Sequence, residues 1–159
     1  MLDNRPRILV AEGGSEQRAF LMWGLLAKGY WVEPVSNGFD AAVALENPVA
    51  PDLAIVDLYL PGFDGRRLIE SMRQSERRRR VPILVTAFSG PYAPLPPEVG
   101  FLKKPCSIAA LLAKVREIGG HRVRDTVAGY RDTVGKNESG PRPTLSSVGG
   151  RRRAVEPRE

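Results

Sequence analysis

Residues 51–69 read PDLAIVDLYLPGFDGRRLI. Asp52–Asp57, DLAIVD, is an apolar run closed by a carboxylate. A half-exposed strand would alternate polar and apolar residues, so this run predicts a strand buried on both faces. LPGFDG then has the composition of a turn, and over Arg66–Arg73 the apolar residues Leu68, Ile69 and Met72 share one helical face. The stretch therefore predicts a strand–turn–helix unit with a carboxylate at the strand's carboxyl end.

The unit repeats on either side. Ile8–Ala11 is a short apolar run, followed by Glu12, Gly13, Gly14 and Ser15. Ser15 is a candidate cap for a helix whose apolar positions are Phe20, Trp23 and Leu26/Ala27, stopped at Gly29. Tyr30–Val35 predicts a second strand, with Pro34 marking an edge position. Asn37-Gly38 is a turn, and Phe39–Glu46 a short helix ending before Pro48. VPILVTA, Val81–Ala87, predicts a fourth strand, and GFLKKP, Gly100–Pro105, holds a short fifth. Ser107–Ile118 closes the series with a helix built on Ile108, Leu111, Leu112 and Val115. Alternating helices and fully apolar strands mean an α/β fold, a parallel sheet covered on both faces.

The 159 residues allow one domain or two small ones. A single cysteine, Cys106, rules out an internal disulfide and a cysteine-based metal cage, and a single histidine, His121, rules out a multi-histidine zinc site. No apolar run approaches the ~20 residues of a membrane span, and the start of the chain has no apolar signal region, so the expected location is cytoplasmic. Residues 1–118 carry 15 basic and 13 acidic side chains, while residues 119–159 carry 9 and 5. Beyond Gly119-Gly120 the chain is rich in Gly, Pro, Ser and Arg and poor in large apolar residues, which predicts a disordered basic tail over 119–159 after a domain spanning 1–118. An echo, Arg124-Asp-Thr-Val and Arg131-Asp-Thr-Val, is too short to be a structural repeat.

In an open parallel sheet, ligands bind beyond the carboxyl ends of the strands. Glu12, Asp57, Thr86 and Lys104 occupy those ends here. An aspartate can take a phosphoryl group as an acyl phosphate, adding a charge of about −1.5 to −2. A lysine can offset that charge, a threonine can donate to a phosphoryl oxygen, and magnesium would be held by carboxylates, phosphate oxygens and water.

These residues, taken with the PDLAIVDLYLPGFDGRRLI, VPILVTA, GFLKKP and NGFDAA segments, give residues 6–118 a resemblance to the receiver domain of response regulators in two-component signalling. The resemblance implies a flavodoxin-like five-stranded sheet in the order 2-1-3-4-5. It implies a signalling protein rather than an enzyme, served by a sensor histidine kinase or phosphotransfer protein. Asp57 would be the phosphoacceptor, and Thr86 and Lys104 would bind the phosphoryl oxygens. Phe101 would be the switch aromatic. Glu12, Asp57 and the backbone carbonyl of Tyr59 would hold magnesium, and Lys104-Pro105 would be a cis peptide.

Two departures qualify it. The acidic pair that ends the family's first strand is Glu12-Gly13 here, so one carboxylate is missing; weak magnesium binding and slow phosphotransfer follow as expectations. Prolines 91, 94, 96 and 97 occupy the place of the family's fourth helix and predict a loop.

Several readings stay open. One is a stand-alone phosphoacceptor, and another a degenerate receiver that binds its partner regardless of phosphate. A nucleotide-binding enzyme using Gly13-Gly14 would need a longer glycine pattern than this chain has. Nucleic-acid contact through the arginines of the tail is the least supported. The Arg77–Arg80 run reads as a solvated connection, Cys106 as a packing residue, and Trp23 and Trp31 as packing aromatics.

Overall fold

The computed structural model describes the backbone of residues 4–91 and 93–134, with side chains through residue 120 and at Val123. Five parallel strands form one sheet: β1 (Arg7–Ala11), β2 (Trp31–Val35), β3 (Leu53–Asp57), β4 (Ile83–Ala87) and β5 (Gly100–Lys103). Their spatial order is β2-β1-β3-β4-β5, with Pro34 on the edge strand β2. The helices are α1 (Ser15–Leu26), α2 (Gly38–Leu45), α3 (Gly65–Gln74) and α4 (Ile108–Val134).

Strand side chains alternate between two cores because their period is two. Leu9, Ala11, Ala54, Val56, Ile83 and Val85 face α2 and α3, where Ala41, Leu68, Ile69 and Met72 are buried. Ile8, Val10, Leu53, Ile55 and Leu84 face the opposite way, onto Leu21, Leu25, Leu111 and Val115 of α1 and α4. The turn glycines permit close approach at two points. A Cβ on Gly38 would collide with the Phe63 carbonyl, and one on Gly65 with the Asp57 carbonyl. Asn37 and Asp64 cap α2 and α3 by accepting from the Asp40 and Arg66 amides.

Three expectations need correction. The apolar face of α1 is Leu21 and Leu25, whereas Trp23 is 65% exposed and Phe20 also faces solvent. A helix this rich in apolar residues carries more than one face at helical spacing, and contact with the sheet selects between them. Ser15 is the first helical residue rather than the cap: Gly14 is the N-cap and no side chain caps it. The last helix does not end at Ile118. Helix α4 runs on to Val134 with a break at Gly120, whose φ of 64° favours glycine, and Val123 beyond the break is fully buried. The Tyr30 hydroxyl donates to the Val123 carbonyl at 3.3 Å. Tyr30 is itself buried and needs an acceptor, so tertiary packing holds a segment that its own composition would leave loose. Residues 135–159, including Arg151–Arg153, lie outside the described residues.

Between β4 and β5, the described residues form no helix. The proline-bearing loop is held by Arg66, whose guanidinium donates to the carbonyls of Ala93 (3.0 Å) and Pro94 (3.3 Å). In the arginine run, Arg78 is buried and paired with Glu46 at 3.0 Å, and Arg77 reaches the Pro48 carbonyl. These contacts tie α3 to α2 and are a structural use of the run. No helix among the described residues is long and apolar enough to cross a membrane.

Candidate functional site

The same two-residue period that separates the cores assembles the site. Ile8 and Val10 lead to Glu12, Leu53 and Ile55 to Asp57, Leu84 to Thr86, and Leu102 to Lys104, all in rows facing α1 and α4. Asp57 and Thr86 are direct register partners. Pairing continues past the strand ends: the Glu12 amide donates to the Val35 carbonyl, that of Leu58 to Thr86, and that of Lys104 to Ala87. Four polar side chains are thereby fixed at one sheet edge.

All four are buried. The Lys104 ammonium lies between the two carboxylates, Nζ being 2.8 Å from Glu12 Oε2 and 3.2 Å from Asp57 Oδ2. The other oxygens are also engaged. Glu12 Oε1 accepts from the Gly14 amide at 2.9 Å and Asp57 Oδ1 from the Tyr59 amide at 3.0 Å. Among the described residues, the buried Thr86 hydroxyl has no hydrogen-bond partner. Natural structures pair nearly every such group, so an unpaired one at a strand end suggests a ligand-facing atom.

Glu12, Asp57 and Lys104 border an open cleft of about 570 Å³, lined also by Tyr59 and Phe88, while Thr86 sits beside Asp57 in the sheet. The Phe88 ring centroid lies 4.9 Å from Lys104 Nζ, within reach of a cation–π contact. The Lys104-Pro105 peptide is cis. Phe101 lies on the opposite side of the sheet, half-buried against the core beneath α2 and α3, and is not brought to the cleft.

Sequence reasoning missed three participants. Arg18 of α1 donates from Nη1 to the carbonyls of Glu12 (2.8 Å) and Gly13 (3.3 Å). Phe88 covers Lys104, and Pro61 abuts Gly13, where an added Cβ would lie 2.8 Å from Pro61 Cδ. The Arg18 contact had a local signal, a long cation one helical turn into α1; the Pro61 contact, made across a loop, had none.

Magnesium needs oxygen ligands free to bind it. Each carboxylate oxygen of Glu12 and Asp57 already faces a protein donor, and Gly13 supplies no ligand. Among the described residues, no three Asp, Glu, His or Cys side chains are grouped to hold a metal. The residues as arranged do not fit the ion. Nor does the lone cysteine suggest redox chemistry. Burial pushes the Cys106 thiol above its ordinary value, against the opposing pull of Lys104 and a backbone hydrogen bond, which disfavours the reactive thiolate.

The chain is similar to the phosphate regulon transcriptional regulatory protein PhoB of Rhizobium meliloti, 33% identical over 85 residues, 54% of this chain and 37% of that protein. It is 30% identical over 115 residues to the transcriptional regulatory protein PcoR of Escherichia coli, 70% of this chain and 50% of PcoR. Among solved structures, a putative response regulator from Chloroflexus aurantiacus superposes with a TM-score of 0.65 at 25% identity, covering 72% of this chain and 98% of that one. The chain contains a response regulator receiver domain. The receiver domain of the sensor histidine kinase PA1611 from Pseudomonas aeruginosa, described with a magnesium ion in its active site cleft, matches with a TM-score of 0.62 at 26% identity over 73% of this chain and 99% of that one. No protein-family model matches the sequence. The chain spans half or less of the length of the two regulators it matches.

Proposed function

We propose that this receiver domain is a phosphoacceptor in a cytoplasmic phosphorelay, taking a phosphoryl group on Asp57 from a sensor histidine kinase or phosphotransfer protein and signalling through protein contacts. The observation that carries this reading is the unpartnered Thr86 hydroxyl, in register with Asp57 and facing the same way. A phosphoryl group on Asp57 would give that hydroxyl an acceptor and would meet the Lys104 ammonium, which offsets the added charge. In the transfer, an Asp57 carboxylate oxygen forms a bond to phosphorus as the bond to the donor's imidazole nitrogen breaks, and the nitrogen keeps the electron pair. The weak magnesium site expected from Glu12, Asp57 and the Tyr59 carbonyl is given no part in this step. The remainder of the chain beyond Val123 is assigned to a basic extension outside the receiver core.

The test is incubation of the full chain with a small phosphodonor, read by intact mass. A phosphate adduct on the wild type that is absent in Asp57→Asn supports the reading; no adduct under any donor concentration sinks it.

A second reading, a receiver that binds its partner without phosphate, is favoured by two observations. Pro61 fills the space beside Gly13, and a loop replaces the helix between β4 and β5. It predicts that Asp57→Asn binds the partner as tightly as the wild type.

A further inference from the structure

We propose that Lys104 is the resident cation of the cleft and that Gly13 and Pro61 close the divalent-ion position, so that the site takes its anion without magnesium. The cation assignment stands on geometry alone, and only the anion rests on the phosphoacceptor reading.

Three observations converge. The first is occupancy. The Lys104 ammonium, itself 3% exposed, bridges Glu12 Oε2 and Asp57 Oδ2, while backbone amides take the two remaining oxygens. A divalent ion would have to displace a buried ammonium that already pairs with both carboxylates, or sit beside it against like-charge repulsion. The second is shape. The space a side chain at position 13 would need is filled by the Pro61 ring, so the missing carboxylate is matched by a neighbour that excludes it. The third is field. The Arg18 guanidinium bonds the carbonyls of Glu12 and Gly13, placing a second fixed positive charge beside the same position. Loss of a ligand alone would leave a vacant, weakened metal site. Here the neighbouring ring and two cations fill and neutralise it.

The experiment is thermal unfolding of the full chain from 0 to 10 mM magnesium chloride, against potassium chloride at matched ionic strength. Two variants accompany the wild type. Lys104→Met leaves two facing carboxylates without a cation. Gly13→Asp with Pro61→Ala restores the acidic pair and removes the ring atoms that block it, keeping the residue-61 carbonyl that accepts from Gly38 and Phe63. The wild-type melting temperature is expected to ignore magnesium, while the variants rise by about 4 °C, the shift that about 1 kcal/mol of ligand binding gives a domain of this size. A saturable rise in the wild type overturns the proposal, as does a failure of both variants to respond. Should Lys104→Met not fold even with magnesium, the double variant decides. No phosphodonor enters, so a missing mass adduct would sink the phosphoacceptor reading without touching this result.

Discussion

Lys104 Nζ and Glu12 Oε2 meet at 2.8 Å across the sheet edge, from residues 92 positions apart, and both side chains are almost wholly buried. The pair forms because β1 and β5 end at the same level on either side of β3 and β4, and Asp57 joins it from β3. Removing one partner of a buried ion pair leaves an uncompensated charge, which costs about 3–5 kcal/mol. Lys104→Met should therefore lower the urea midpoint sharply, and Glu12→Gln by less, since Lys104 keeps Asp57. Equal losses would show that Asp57 does not share the ammonium.

Thr86→Val should separate stability from function. The buried hydroxyl has no partner, so replacing it costs no hydrogen bond and is expected to leave stability unchanged or raise it by up to about 1 kcal/mol. The yield or lifetime of the phosphate adduct should fall, because its oxygen loses a donor. A destabilised Thr86→Val would mean that the hydroxyl is bonded within the protein.

Gly65→Ala should be poorly tolerated for a backbone reason. Its Cβ would strike the Asp57 carbonyl and lie 3.0 Å from Leu58 Cα, and neither is a side chain that can swing away. Overpacking of this kind costs about 1–3 kcal/mol. Equilibrium unfolding of the variant measures it; a change within a few tenths of a kcal/mol would place α3 farther from β3 than found here.

Burial raises the Tyr30 hydroxyl above its ordinary 10.0, with the nearby Arg116 guanidinium pulling the other way. The folded state thus holds this proton more tightly than the unfolded chain. The corresponding stability is fully present below pH 10.0 and is lost as pH rises through the raised value. Tyr30→Phe should lose about 0.5–1.5 kcal/mol at neutral pH, with the bond to Val123, and should decline less steeply above pH 10.0. Cutting the chain after residue 118 should lower the melting temperature relative to cutting after residue 134, because only the longer form keeps Val123. Equal melting would return the boundary to residue 118.

The alternation of strands and helices, the parallel sheet and the four polar residues at its edge were legible in local residue patterns. Apolar runs such as Leu53–Val56 and Ile83–Val85 can be buried only with cover on both faces, and Glu12, Asp57, Thr86 and Lys104 each stand where such a run ends. Local composition also identified the proline loop, since four prolines forbid a regular helix wherever the chain folds. What remained undetermined depended on contacts between distant segments. Which face of α1 is buried was decided by the sheet beneath it, and the continuation to Val123 by a buried tyrosine 93 residues away. Gly13 by itself signified only a missing ligand. The Pro61 ring against it, the Arg18 guanidinium behind it and the Lys104 ammonium between the carboxylates come from three other elements of the fold. Only their packing together filled that position, because side-chain volume and charge act through space rather than along the chain.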